Sequence, residues 1–164
     1  MTQEIDIEKY HQLALQKQKE HRKVLANLKK KPPKNLDKIA QEIHDEVFQE
    51  IDCTACANCC KTLGPDFKEL DITRIAKYFK MKLPAFEAEF LQVDEDGDKV
   101  FKAMPCPFLG GDNLCSIYDV RPKACREFPH TDRKKIYQIN HLTIKNTLTC
   151  PAAYLFVEKL KDRL

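Results

Sequence analysis

At 164 residues the chain is about one domain long, enough to bury a core without disulfide staples. Its 28 Lys and Arg against 25 Asp and Glu leave a net charge of +3, which excludes a whole-chain electrostatic case for nucleic acid. No run of about 18 apolar residues exists, which excludes a membrane-spanning helix.

The opening MTQEIDIEKYHQ is acidic and lacks the basic-then-apolar order of a secretory leader, so a cytoplasmic location is expected. Residues 4–30 read as one long polar helix. Its thin apolar stripe (Tyr10, Leu13, Ala14, Val24, Leu25, Leu28) is interrupted in the middle and suits docking better than core formation. KKKPPKN then breaks the helix, because two prolines remove donors and clash with the preceding turn. The Lys run reads as a solvated helix end rather than a nucleic-acid arm, since it is short and no aromatics are interleaved. Residues 1–35 therefore form a basic helical arm and Pro linker, net +5, with a possible role in holding a protein partner, and 36–164 form the remaining domain, net −2.

Leu36 to Ile51 has clear helical spacing at Leu36, Ile39, Ala40, Ile43, Val47, Phe48 and Ile51. A further helix is expected from about Asp71 to Lys80, and Pro84 opens another, PAFEAEFL. LQVDEDGDKVFKA reads as a hairpin around a polar turn. Its glycine is misplaced for a calcium loop and no closing Glu follows. Pro105 to Pro129 is rich in turns, and TCPAAYLFVEKLKDRL is a last amphipathic helix. The fold class is mainly α with a small β-hairpin, a small, turn-rich, metal-stapled single domain.

The chemistry lies in eight cysteines: Cys53, Cys56, Cys59, Cys60, Cys106, Cys115, Cys125 and Cys150. Reduced cytoplasmic thiols favour metal ligation over a disulfide scaffold. CTACANCC contains two overlapping Cys-x-x-Cys gaps, each the spacing that lets two thiolates reach one metal. If the octad is one helix at about 100° per residue, all four sulfurs fall within a third of its circumference. A loop around a cluster accommodates the spacing equally. Neighbouring Cys59 and Cys60 diverge and are poorly placed to share one tetrahedral ion. Pro105 and Pro107 hold Cys106 extended. Cys150 precedes Pro151 at an expected helix start, where the dipole favours a thiolate.

Arg121 and Arg126 bracket Cys125, and Arg suits the task of balancing thiolate charge. The competing reading is that both are ordinary surface residues. His130 is an alternative ligand, His44 reads as solvated, and Phe108, Tyr118 and Phe128 read as local core shielding the site.

CTACANCC, then CPFLGGDNLCSIYDVRPKACREFP, then CP resemble the YkgJ-type cysteine-cluster family, a zinc- or iron-chelating domain with a CxxCxxCC signature, over about residues 50–155. The resemblance implies metal binding at all eight cysteines, with Arg121, Pro122, Arg126 and Pro129 as motif companions. Relatives often carry Gly directly after the second cysteine, where this chain has Ala57. The cofactor is then zinc or an iron–sulfur cluster. Vicinal cysteines and Cys-Pro lean slightly to the cluster.

The expected function is a metal-binding protein. The alternative is an accessory subunit or enzyme of protein lysine methylation, by analogy with flagellin lysine-N-methylases, which carry a related domain. Against it, the chain has only four glycines and no Gly-rich nucleotide loop, and no catalytic residue stands out. A redox or interaction protein, with the N-terminal helix as its partner-binding arm, is a third possibility.

Overall fold

In the computed structural model, which describes residues 4–164, the Asp6 carboxylate opens the first helix by accepting the Lys9 N–H at 2.9 Å. Met1–Gln3, where the opening stretch and the 1–35 segment begin, lie outside the described residues. In chain order the elements are α1 (Ile7–Lys30), α2 (Leu36–Glu50), α3 (Cys53–Cys56), α4 (Asn58–Thr62), β1 (Asp66–Phe67), α5 (Glu69–Tyr78), α6 (Leu83–Phe90), β2 (Leu91–Val93), β3 (Lys99–Phe101), α7 (Lys123–Glu127), α8 (Asn140–Thr147) and α9 (Pro151–Arg163). Short 3-10 turns occupy Tyr118–Val120 and Ile136–Ile139. The architecture is mainly helical, as expected, and the hairpin gains a third strand. The chain divides into two compact units, one running to Cys56 and resuming at Pro129–Leu164, the other spanning Ala57–Phe128.

The first unit is a helical packing. Leu36, Ala40, Ile43 and Val47 recur at helical spacing on α2, are buried, and face α9. Helix α9 supplies Ala152, Phe156, Val157 and Leu160, while α1 packs on α8 and α9 and adds Leu25 and Leu28. The interruption in the α1 stripe is filled by His21, fully buried, whose Nε2 lies 2.7 Å from Glu158 Oε1. Lys161 joins the same carboxylate to Glu20 on α1, at 3.1 and 2.9 Å. Helix α8 escaped the periodicity reading because its buried face includes Thr143, Asn146 and Thr147. Their side chains donate to backbone carbonyls: Thr143 Oγ1 to Ile139 at 3.2 Å, Thr147 Oγ1 to Ile144 at 2.6 Å and Asn146 Nδ2 to Pro129 at 3.2 Å. His44 is half-buried rather than solvated: its Nδ1 lies 2.8 Å from Thr131 Oγ1 and its ring packs on Phe48.

The second unit is built on a three-stranded antiparallel sheet of order β1-β3-β2, with Leu91 opposite Phe101 and Asp66 opposite Val100. Two residues are too few for β1 to show a strand period, so only its partner β3 reveals it. The Asp94 carboxylate accepts the Asp96 and Asp98 N–H groups and Gly97 takes a positive φ of 83°, so DEDGDK is a turn. Phe67, Ile72, Ile75, Phe86, Phe101 and Phe108 form the core. The Phe108 ring stacks on Phe79 at 5.2 Å and meets Phe90 and Phe101. Phe108 thus shields the cysteine-rich segment as expected, whereas Tyr118 is exposed.

Candidate metal centre

Asp52 organises the first two cysteines. Its carboxylate accepts the Thr54 N–H at 2.8 Å and hydroxyl at 2.6 Å, and its carbonyl accepts the Ala55 and Cys56 N–H groups. The resulting single turn, α3, presents an exposed Cys53 and a buried Cys56. The octad does not continue as one helix. Ala57 turns into the left-handed region at φ 49°, where a side chain is strained, and α4 starts afresh with Cys59 and Cys60. Ala57, where the family resemblance raises the expectation of Gly, therefore has a backbone that favours Gly. Helix α4 ends at Gly64, whose φ of 66° lets its N–H reach the Cys59 carbonyl at 3.1 Å.

A hydrogen bond from the Cys59 thiol brings the Cys60 thiol down to about 7, against its burial and with help from the Lys61 charge. The Cys60 carbonyl in turn accepts the Cys106 N–H at 2.8 Å. The loop from Cys106 to Cys115 is closed at both ends. Leu109 N–H bonds the Cys106 carbonyl, Leu109 and Cys115 pair as an antiparallel bridge, Gly110 N–H bonds the Leu114 carbonyl, and Ser116 donates twice to Phe108. Burial pushes the Cys106 thiol up to about 11, although the Phe108 and Leu109 N–H groups favour its thiolate and the Cys60 and Cys115 charges oppose it. Cys115 is likewise raised, by burial first and by Cys60, against the Ile117 N–H and Arg121.

Cys125 sits in α7 and is pushed up to about 12 by burial and then by Cys60, Cys106 and Cys115, with Arg121 acting in the opposite direction. Cys60, Cys106, Cys115 and Cys125 therefore lie within electrostatic reach of one another in the second unit. Arg121 is anchored over the Tyr118 ring at 3.9 Å, donates to the Tyr118 carbonyl and favours the thiolates of Cys115 and Cys125. Arg126 lies exposed in the last turn of α7.

In the first unit Cys150 stands at the N-cap of α9, with Pro151 next to it as expected. The Ala153 and Ala152 N–H groups favour its thiolate without closing a capping hydrogen bond. Burial dominates and, with the charges of Cys53 and Cys56, pushes the thiol up to about 12. The helix start therefore does not by itself ionise this thiol. His130 has a left-handed backbone at φ 64°.

Sequence reading missed Asp71 and Arg74. Asp71 is buried and accepts the N–H groups of Lys68 and Lys123 and the Arg74 guanidinium. Arg74 also donates to the Val120 and Arg121 carbonyls. The pair fastens α5 to the segment that carries Arg121 and Cys125. A carboxylate and an arginine at i and i+3 look like an ordinary surface pair in sequence, so no local signal distinguishes them.

Cys60, Cys106, Cys115, Cys125 and Cys150 are free thiols. Thiol sulfur is the donor type a thiophilic ion takes, and a bound cation would favour the thiolates that burial disfavours at Cys106, Cys115, Cys125 and Cys150. Among the described residues no group of three or more His, Cys, Asp or Glu side chains is placed to hold an ion.

Among the described residues, no helix is long and apolar enough to cross a membrane. No curated protein and no solved structure matches the chain. The sequence model of the CxxCxxCC family, described as "Putative zinc- or iron-chelating domain", matches residues 52–151, more than half of the chain. That match spans the octad, the closed Cys106–Cys115 loop, α7 and Cys150, and by it the chain belongs to the CxxCxxCC family.

Proposed function

We propose that this protein holds zinc or an iron–sulfur cluster through cysteine thiolates, with Cys53, Cys56, Cys59, Cys60, Cys106, Cys115, Cys125 and Cys150 as the ligand pool. The observation that carries the reading is the match of the zinc- or iron-chelating family model over residues 52–151, a range that holds all eight cysteines. Four thiolates complete the shell of a zinc ion or of a cubane cluster. The vicinal Cys59 and Cys60 favour the cluster, whose several irons accept diverging sulfurs. Arg121 would balance the negative charge of the loaded thiolates. The reading needs reduced thiols, which a cytoplasmic setting supplies.

Bound metal would supply cross-linking of distant chain segments, so its binding energy would add to folding. The chain's own residues prepare for it: the Cys106–Cys115 loop is closed by its own hydrogen bonds, and Asp71 with Arg74 holds the segment leading to Cys125. Purification without oxygen, followed by metal and sulfide analysis and a visible spectrum, tests the proposal. Brown protein with iron and sulfide identifies a cluster, and colourless protein with zinc identifies a zinc site. Protein that takes up neither metal, even after reconstitution, overturns the reading.

A further inference from the structure

Residues 29–38 read KKKPPKNLDK and residues 131–135 read TDRKK, two basic runs about a hundred positions apart. As sequence, each run is short. The fold joins them at one end of the first unit. Asp37 lies between Lys34 and Lys38, in the first turn of α2, and its carboxylate accepts the Lys135 N–H at 2.7 Å. Behind this contact Ile136 packs in the core that holds Leu25, Leu28 and Leu36, and the Asn140 amide donates to the Leu25 carbonyl at 2.7 Å.

Together the two runs carry eight Lys and Arg against two Asp, a net of +6. Lys29, Lys30, Lys31, Lys34 and Lys38 are exposed, as are Arg133, Lys134 and Lys135. Among the described residues only Lys38 of these meets a carboxylate, Glu42 at 3.9 Å. The cations of α9 in the same unit are matched differently: Lys159, Lys161 and Arg163 each meet two carboxylates. Gathered, unpaired cations repel one another and attract an anionic partner. No large apolar or aromatic side chain is exposed in either run, because Leu36 is buried.

We propose that this surface binds the phosphate backbone of double-stranded nucleic acid without reading its sequence. A duplex presents about one negative charge per 1.7 Å of axis on a stiff rod, which matches cations fixed on packed helices and a turn. An unpaired strand would be held by aromatic side chains that stack its bases, and an anionic membrane by apolar side chains that enter it; the surface offers neither. The site is separate from the cysteines and independent of the metal-binding reading.

Fluorescence anisotropy of the full chain with a labelled DNA duplex of about 20 base pairs tests this. A Kd of about 1–100 μM is expected near physiological salt. With about five cations on phosphates, log K should fall against log salt with a slope of about −4.5. Lys30→Gln/Lys31→Gln/Lys34→Gln should make that slope shallower by about 2–3, and Arg133→Gln/Lys134→Gln by about 1–2, each with binding weakened about tenfold or more at unchanged melting temperature. Lys77→Gln/Lys82→Gln, which alters equally exposed lysines of the second unit, should change neither. A wild type that leaves the duplex unbound at low salt, binding that survives both sets of substitutions, or dependence on one run alone overturns the proposal. So does tighter binding to a thymine single strand, or binding to phosphatidylserine vesicles with none to the duplex. Metal content should be the same in all these variants, so failure here leaves the metal-binding function standing.

Discussion

Asp71 and Arg74 form an ion pair at 2.7 Å whose remaining hydrogen bonds all serve two short stretches of backbone, the start of α5 and the segment ahead of Cys125. Burial pushes the Asp71 carboxyl up. The Arg74 hydrogen bond, the Lys68 and Lys123 N–H groups and the Arg74 charge outweigh this and hold it below its ordinary range. Asp71→Asn weakens each of these bonds. The expected cost is about 2 kcal/mol, because bonds to a charged acceptor are lost while Arg74 stays partly solvated. Urea unfolding measures the cost, and hydrogen exchange at the Lys123 amide should accelerate in the variant. An unchanged amide would show that Asp71 does not hold the Cys125 segment.

The same pair sets a pH dependence. A carboxyl lowered in the folded state contributes stability that is present above its unfolded value and lost as the pH falls through its folded value. Stability of the wild type should therefore decline below about pH 4, the ordinary aspartate range. Asp71→Asn should show a shallower decline. Parallel acid-unfolding curves for the two proteins would refute the linkage.

Ala57 carries a side chain in the left-handed region at φ 49°, at the point where the chain leaves the first unit. Ala57→Gly removes that strain and adds back some unfolded-state entropy. A net gain of about 0.5–1 kcal/mol is expected, which is about 1–4 °C in melting temperature for a chain of this size. A lower melting temperature in the metal-free variant would contradict the strain account.

In the metal-free protein Cys60 should react faster than Cys106, Cys125 and Cys150, because its thiol is brought down to about 7 while theirs are pushed up to about 11–12. Timed alkylation at pH 7 with peptide mapping gives the order. Cys59→Ala removes the donor that lowers Cys60 and should slow its modification about tenfold. Metal loading should protect it in the wild type.

Deleting residues 1–30 removes Leu25 and Leu28 from a core that also contains Leu36, Phe156 and Leu160. It also strips Glu158 of His21. Each large buried side chain contributes about 1.5–3 kcal/mol, so the remainder should lose helical signal beyond the share of α1 itself and melt without cooperativity. A truncated protein that keeps a sharp transition would instead make the helix an appended arm, free to hold a partner.

Much of the fold was legible locally. The apolar spacing of α2, α5 and α9, Pro84 and Pro151 at helix starts, and the polar turn between β2 and β3 are patterns completed within a few residues. What escaped were elements whose reason lies elsewhere in the chain. Strand β1 exists because β3 pairs with it, α8 buries polar side chains that donate to backbone carbonyls, Asn146 reaching Pro129, and His21 is a core residue because Glu158 meets it across 137 positions.

The cysteines divide along the same line. Their types and spacings are the basis of the thiolate ligation proposed above, because two-residue gaps and proline flanks constrain the backbone within a single turn. The sequence also determined the family. Only the tertiary structure decided that the octad breaks at Ala57, that the Cys60 carbonyl holds the Cys106 N–H, and that buried Asp71 with partly exposed Arg74 clamps the segment ahead of Cys125. The last two are relations between residues about fifty positions apart, set by how cores pack rather than by any local preference of the chain.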